Sequence, residues 1–200
     1  PATLASLSPN SASAVCYIVC DTYSGGTYIG SSTTAFTIIV PDTIVPTISS
    51  VTIAEAVAGL ATKFSGYVQY QSKVNVAIVA AGVSGSTITA YSTTVLGLTY
   101  PGASFVSGFL STSGTVAVVT TVTDSRGRQK SVTNNITVIP YFNPSISLFA
   151  CQRCLASGTP NEDGTSLYAN IKFDVATVND KNDKSWKVEY RISGSGSWTL

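Results

Sequence analysis

Short apolar runs alternate with stretches rich in serine, threonine and glycine along most of the chain. In the clearest run, residues 116–123, both alternating sets of side chains are largely apolar, which predicts a strand in the centre of a sheet. The run at 132–138 is apolar at every second position, which predicts a strand with one buried face. Between them, Asp124-Ser125-Arg126-Gly127 predicts a hairpin loop, because aspartate at the first turn position accepts a backbone N–H and glycine at the fourth tolerates positive φ.

The same patterns predict many other short strands, and residues 54–62 form the one stretch with a helical tendency. Loops are predicted at 21–26 and 179–184. Asp21 and Asp124 are 103 residues apart, a larger spacing than the 99 residues between Pro41 and Pro140. This predicts either that the first hairpin loop is about four residues shorter than the second or that its strands are shifted. The further strands are predicted at 15–20, 35–40, 47–53, 67–70, 73–80, 86–95, 105–110, 167–178 and 185–193.

An internal repeat divides this pattern. An apolar run ends at Pro41 and is followed by Pro46, and the same arrangement recurs at Pro140 and Pro144, 99 and 98 residues later. Proline ends a strand because it cannot donate to the ladder, and it stiffens the crossing to the next unit. About seven short strands per hundred residues predict an all-β fold of tandem immunoglobulin-like β-sandwich domains.

The repeat phase sets the expected domain boundaries. Residues 1–40 are expected to be the C-terminal part of one sandwich, 41–140 a complete sandwich, and 141–200 the N-terminal part of a third. The outer two domains are then incomplete, and the chain is expected to be a fragment of a longer protein.

Composition narrows the functional classes. Polarity comes mainly from 28 serines and 26 threonines, as suits sheet surfaces. The net charge of +1 provides no electrostatic footprint for nucleic acid, and no apolar run is long enough to predict membrane insertion. Charge is uneven, since residues 1–144 hold nine of the 21 charged side chains and residues 145–200 hold twelve.

Candidate chemistry is sparse. The chain has no histidine, which removes the common triads and nearly all zinc enzyme sites. Cys16 and Cys20 share a strand face but lie about 13 Å apart, too far for a disulfide. Reduced thiols are therefore favoured, with a local disulfide or a metal site at Cys151 and Cys154 as the less favoured alternatives.

Two acidic loops, Asn161–Gly164 and Asn179–Asp183, offer hard oxygen ligands, but neither has the EF-hand spacing, and solvated turns are the favoured interpretation. Aromatic side chains could stack on sugar rings, although at strand positions they more often fill a core or pair across strands. Neither pattern predicts a catalytic residue, a metal or a cofactor. The aromatic residues concerned include Tyr67, Tyr70, Tyr91, Tyr100, Trp186 and Tyr190.

Four stretches resemble a known family. They are Cys16–Gly25, then Tyr67–Gln69 with Ser72–Val74, then Thr121–Arg128, and finally Arg153-Cys154 with Gly158-Thr159 and Asn161–Thr165. The chain resembles the tandem immunoglobulin-like minor structural proteins of long-tailed bacteriophages, which form part of the tail or its tip. Tyr70 departs from that family's pattern, because glycine is common there in related sequences. The resemblance implies a virion structural role, and it supplies no catalytic residues.

The expected function is therefore that of a non-enzymatic module of a phage tail or tail tip, made in the host cytoplasm and spacing or presenting domains toward the host surface. The implied partners are other tail proteins, with a host polysaccharide or protein as a further one; the oligomeric state is not predicted. The alternative is a bacterial cell-surface adhesin or carbohydrate-binding stalk, which composition and repeat length fit equally well.

Overall fold

The computed structural model describes residues 2–191, 194 and 196–198. The protein is all-β, with 53% of residues in strands and 4% in helices, which confirms the predicted class. The two helices are single turns, α1 at Ala2–Ser6 and α2 at Leu60–Phe64. The strands of the described chain are β1 Ser13–Ser24, β2 Thr27–Ile39, β3 Thr47–Glu55, β4 Tyr67–Val68, β5 Val74–Ala81, β6 Ile88–Val95, β7 Leu98–Pro101, β8 Ser104–Val106, β9 Gly114–Asp124, β10 Gln129–Ile139, β11 Ser145–Cys154 and β12 Ser166–Asp174.

Residues 47–139 form two sheets that share one hydrophobic core. One sheet has the order β4-β10-β9-β6-β7 and the other β3-β5-β8. β4 pairs parallel with β10, and the other strand pairs of these two sheets are antiparallel. β9 lies between β10 and β6, which confirms the central strand predicted at 116–123. The buried core residues are Val74, Val76, Ile78, Val95, Leu110, Val116, Val118, Val122, Ile136 and Val138.

The chain on either side of this middle region forms a two-stranded hairpin, β1–β2 before it and β11–β12 after it. The ladder of β1–β2 repeats that of β9–β10. Cys16 pairs with Phe36 as Val116 pairs with Ile136, each 100 residues further along. From Ala14 to Thr22 the two hairpins match position for position, whereas the register shift between Thr22 and Tyr23 has no counterpart in β9–β10. The offset of 100 makes Ser24, not Asp21, the equivalent of Asp124.

The β11–β12 hairpin repeats the β3–β5 pair in the same way. Ile53 pairs with Val76 as Cys151 pairs with Ala169, 98 residues later in the first strand and 93 in the second. Both pairs also have a register shift at the same place, between Ile48 and Ser50 and between Ile146 and Leu148. The middle region thus contains both kinds of strand pair, whereas each end of the chain carries one of them.

Several expectations need correction. The loop predicted at 21–26 is only a two-residue turn at Gly25 and Gly26, whose positive φ angles of 58° and 85° let the ladder continue to Ser24. The first hairpin loop, residues 25–26, is two residues shorter than the second, residues 125–128, and not about four. The register shift between Thr22 and Tyr23 accompanies the tighter turn.

The helical tendency assigned to 54–62 is wrong for residues 54–59, of which the first two continue β3 and the other four form a bend and a turn. The helix spans Leu60–Phe64. Glycine at position 59, with φ of 82°, breaks the apolar run just before it. The strand predicted at 167–178 ends at Asp174, and the sequence patterns missed β11.

The strand predicted at 185–193 is also wrong over its described part, where Tyr190 alone forms a bridge. Residues 192 and 193 of that prediction lie outside the described residues.

Candidate functional site

The tip of the β9–β10 hairpin is built around one carboxylate. Asp124 Oδ1 accepts the backbone N–H groups of Arg126 at 3.0 Å and Arg128 at 2.9 Å. The Gly127 amide donates to the Asp124 carbonyl, and Gly127 has a φ of 78°. The predicted hairpin loop is therefore confirmed, because Asp124 accepts backbone N–H groups and Gly127 has a positive φ, as predicted. The turn also aims the two arginine side chains away from the sheet, toward the chain that precedes β3.

Arg126 is the centre of the first junction, where the middle region meets the N-terminal segment. Its side chain is fully buried, and its Nε donates to the Ser8 carbonyl at 2.8 Å. Its two terminal nitrogens donate to the carbonyls of Ala5 at 2.9 Å and Val83 at 2.8 Å, and also to that of Ser84. The planar, five-donor guanidinium can satisfy this many acceptors at once, which an ammonium group cannot do in the same geometry.

The loop that supplies two of those carbonyls is held tightly. A Cβ on Gly82 would lie 1.9 Å from the Ser86 carbonyl oxygen, so only glycine fits there. Ser86 Oγ bonds the backbone of Val83 as both donor and acceptor at 3.0 Å. This compact turn fixes the carbonyls that Arg126 needs.

Charge at the junction is compensated by one carboxylate. Asp124 Oδ2 is buried with no hydrogen-bond partner, and Arg126 Nη1 lies 4.0 Å away. An unpaired buried charge would cost several kcal/mol, roughly 3–5 by analogy with broken buried pairs. Asp124 and Arg126 therefore depend on each other to remain buried.

Arg128 fastens the linker between β2 and β3. It donates to the carbonyls of Val40, Pro41 and Ile44, the last at 3.0 Å, and to the Asp42 carboxylate at 3.2 Å. Backbone carbonyls of a linker would otherwise be solvated, so these bonds hold the crossing in one conformation. The neighbouring Ser125 adds a bond from its hydroxyl to the Pro9 carbonyl at 2.6 Å.

The second junction, at the opposite end of β10, is apolar. Val68, Ile139, Ala176 and Val178 form a buried cluster, with Phe64 and Tyr141 packed against it. It joins the middle region to the loop that follows β12. Two exposed lysines add polar contacts, since Lys63 pairs with Asp183 at 2.7 Å and Lys181 donates to Ser65 Oγ at 2.5 Å.

Two pKa values are displaced near this end of the middle region. The hydrogen bond and the charge of Lys63 lower the pKa of Asp183. Partial burial raises the pKa of Tyr67, and the charge of Glu55 raises it further. Tyr67 also donates its hydroxyl to the Ile53 carbonyl at 3.3 Å, which ties β4 to the facing sheet.

All four cysteines are free thiols, so the local disulfide considered for Cys151 and Cys154 is not formed. Cys154 is buried and Cys151 exposed. Among the described residues, no group of three or more His, Cys, Asp or Glu side chains is placed to hold a metal ion. The favoured interpretation of reduced thiols agrees with this arrangement.

The first acidic loop is a turn, in which Asn161 Oδ1 accepts the Asp163 amide at 2.8 Å and Gly164 donates to the Asn161 carbonyl. In the second loop, Asp183 is the partner of Lys63 at the junction, a contact that the sequence did not predict.

The aromatic residues do not form one row. Tyr67, Tyr91 and Tyr100 pack against the core, and Tyr100 stacks on Phe105 with ring centroids 4.6 Å apart. The side chains of Tyr70, Trp186 and Tyr190 are exposed. A core role is therefore confirmed for the first three. Tyr70 has a φ of 61°, a left-handed conformation that explains why glycine suits this position.

Sequence reasoning placed Arg126 and Arg128 in a hairpin loop but did not assign them a contact. The sequence did contain a pattern that could have indicated these contacts, because the two arginines are among only five basic residues in the first 144. Isolated charges in an otherwise uncharged region need partners, and a tight turn that carries two of them is a candidate docking point.

The fold and the two junctions define an all-β protein whose middle region is fastened to the segments before and after it. The chain belongs to a family of siphovirus proteins, described as "Siphovirus protein of unknown function (DUF859)", whose family model matches residues 1–197. The search of curated proteins found no match. Neither helix of the described chain has the length and apolar character needed to cross a membrane.

Proposed function

We propose that this protein is a structural, non-enzymatic component of the siphovirus tail or tail tip, which spaces or presents domains toward the host surface. Family membership over residues 1–197 supports a phage protein. The observation that carries the structural role is the first junction, where Arg126 and Arg128 bind seven backbone carbonyls of neighbouring segments.

The proposal includes tandem immunoglobulin-like sandwiches. Two facing sheets, a mixed sheet with β4 parallel to β10, and eight strands within residues 47–139 support this for the middle unit. In this proposal residues 41–140 form one complete module, while residues 1–40 and 141–200 each carry one half of such a module. The match of β1–β2 to β9–β10, and of β11–β12 to β3–β5, supports that division.

The mechanism is geometric. A linker whose carbonyls are bonded to a buried or half-buried arginine cannot swing freely, because every swing would leave carbonyls and a guanidinium unpaired. The second junction restricts motion through apolar packing of Val68, Ile139 and Ala176. Successive modules would then keep a fixed spacing, as a tail component that positions a host-facing domain requires.

The proposed partners are other tail proteins and, at the host surface, a polysaccharide or protein bound weakly by many copies at once. Nucleic acid and a cofactor are not part of the proposal. Synthesis in the host cytoplasm followed by assembly into the virion is compatible with four free thiols. Composition and repeat length fit the alternative of a bacterial adhesin equally well, whereas family membership favours the phage.

Immunogold electron microscopy tests the location. An antibody raised against this chain is applied to purified phage particles and to the envelopes of producing cells. We expect gold at the tail or its tip, and none after the antibody is preabsorbed with the purified protein. Gold on the capsid alone, on cell envelopes alone, or on neither particle nor envelope would overturn the tail assignment.

A further inference from the structure

An open cleft lies between the turn that follows β4 and the linker that joins β10 to β11. Its volume is about 490 Å³. Small-molecule sites in proteins typically measure about 300–1,000 Å³. Three of the six side chains that line it are aromatic, and the other three are primary amides. The lining residues are Gln69, Tyr70, Gln71, Tyr141, Phe142 and Asn143.

The chemistry of this lining selects for an uncharged ligand. No lining side chain carries a charge, so an ionic ligand would lose hydration without gaining a counter-charge. A primary amide both donates and accepts hydrogen bonds, as does a sugar hydroxyl. An aromatic ring offers a flat apolar surface, which matches the C–H groups on the face of a pyranose ring. The lining therefore complements a neutral sugar both at its edge and on its face.

Two amides and two rings of the cleft are available to a ligand. Gln71 and Asn143 are exposed, and their side chains make no hydrogen bond within the described part of the chain. Tyr70 and Phe142 are 54% and 50% exposed. Polar and aromatic groups can thus contact the same ligand without first breaking a contact inside the protein.

The third amide joins the two walls of the cleft. Gln69 Nε2 donates to the Ser111 carbonyl at 2.9 Å, and Gln69 Oε1 accepts the Tyr141 amide at 3.2 Å. The linker is also stiffened at both ends, because Pro140 and Pro144 each have a fixed φ. The cleft is therefore formed before a ligand arrives, which reduces the entropy lost on binding.

The turn holds Tyr70 in a conformation that favours glycine. Tyr70 has a φ of 61°, and its amide donates to the Leu110 carbonyl at 2.7 Å. Beneath it, the buried Ser72 Oγ accepts the Val68 amide at 2.7 Å, which closes the turn. Side chains held in such unfavourable backbone conformations are concentrated at binding sites. A use for the ring in the cleft accounts for a tyrosine at this position.

We propose that the cleft binds one neutral sugar unit of a polysaccharide. Tyr70 and Phe142 stack on the sugar ring, and Gln71 and Asn143 bond its hydroxyls. A proline-rich peptide would also suit the rings, but proline has no N–H to donate to the amide oxygens. The proposal assigns a site to the polysaccharide partner of the proposed function, and it rests on that function only for the source of the sugar.

The test is a titration of the purified full chain followed by proton–nitrogen correlation NMR. The probes are maltotriose, cellotriose, chitotriose, mannotriose and xylotriose. The side-chain NH₂ signals of Gln71 and Asn143 report directly on the cleft. At least one trisaccharide is expected to shift these signals and the backbone signals of 69–71 and 141–143, with a Kd of about 1 mM.

Variants at the two rings test their role in binding. Phe142→Ala is expected to weaken binding about tenfold. Tyr70→Gly is expected to weaken it similarly while raising stability, a combination that a folding defect cannot produce. Phe109→Ala and Asn135→Ala are the matched controls, since both residues are exposed and lie outside the cleft. Both controls are expected to bind as wild type does, and circular dichroism checks that every variant is folded.

Several results would overturn the proposal. One is that no trisaccharide shifts these signals at about 20 mM, well above the expected Kd. Another is that the shifts lie elsewhere on the protein, or that the control variants weaken binding as much as the ring variants do. Decaproline is titrated in parallel, and shifts caused by decaproline but by no sugar would indicate a peptide groove instead.

The binding test and the immunogold test fail separately. Absence of sugar binding leaves a tail location in place. Gold away from the tail leaves a measured sugar site in place, because the titration uses the purified protein.

Discussion

The middle region and the terminal hairpins share strand pairings but differ in what lies over their apolar faces. Val118 and Ile18 are equivalent positions, yet one is completely buried and the other mostly exposed. Most of the cross-strand pairing is reproduced in both regions, and so is the register shift shared by β3–β5 and β11–β12, although the turns at 25–26 and 125–128 differ in length. The difference teaches that hairpin geometry is local, whereas burial depends on a second layer that local sequence cannot supply.

The largest effect is expected where one residue ties the two regions together. Arg126→Ala would leave Asp124 buried without its charge partner and would remove the donor to the Ser8 and Ser84 carbonyls. The carbonyls of Ala5 and Val83 would keep their bonds from the Ser8 amide and from Ser86. We expect a loss of about 3–5 kcal/mol in the free energy of unfolding, measured by urea denaturation.

The matched control for that variant is Lys130→Ala, on the same hairpin but exposed, with an expected change within about 0.5 kcal/mol. Equal losses in the two variants would contradict the assignment of Arg126 to the junction.

Truncating the side chains at two equivalent positions measures how much burial differs between the middle region and the N-terminal hairpin. Val118→Ala should cost about 2 kcal/mol, because it removes buried methyl groups and leaves a cavity. Ile18→Ala, in dilute monomeric protein, should cost less than about 1 kcal/mol, since the side chain is already exposed. Urea denaturation of both variants at low concentration makes the comparison, and similar costs would show that the N-terminal face is covered within the monomer.

A smaller, stabilising effect is expected within the middle region. Tyr70→Gly removes a left-handed non-glycine residue, a conformation that costs about 1–2 kcal/mol, while glycine adds unfolded-state entropy of about 0.5–1 kcal/mol. We expect a net gain of about 0.5 kcal/mol in thermal or urea denaturation. Tyr70→Ala is the control, since it removes the ring but keeps the unfavourable φ, and a similar gain from alanine would refute the backbone explanation.

The smallest effect is a pH dependence at Tyr67. Its pKa is raised above 10.0, so the folded state holds the proton more tightly than the unfolded state. Its contribution to stability is therefore complete below pH 10 and is lost as pH rises through the folded pKa.

The urea midpoint of the Tyr67→Phe variant should therefore fall less than that of wild type as the pH rises from about 8 to about 11. Tyr17→Phe, at an exposed tyrosine of the N-terminal hairpin, should follow wild type over that range. Identical pH profiles for all three proteins would mean that Tyr67 titrates normally.

Sequence patterns were most informative where structure is set by neighbours along the chain. The run at 116–123 and the turn at Asp124–Gly127 were predicted because alternation and turn chemistry act over a few residues. The failures lie where spacing is ambiguous. The helical tendency at 54–62 was displaced toward Phe64, and β11 was missed although its partner strand repeats β5.

The sequence by itself determined the all-β class and the repeat of about one hundred residues, with the paired prolines that recur in it. Those features follow from two-residue periodicity and from turn chemistry, which are local. Only the tertiary structure decided that Arg126 is buried against the N-terminal segment and the loop after β5, that β4 pairs parallel with β10, and that Cys16 and Cys151 lie on core-like faces. The physical reason is that burial and long-range hydrogen bonding depend on which surfaces meet in space, and residues more than one hundred positions apart meet only after the chain has folded.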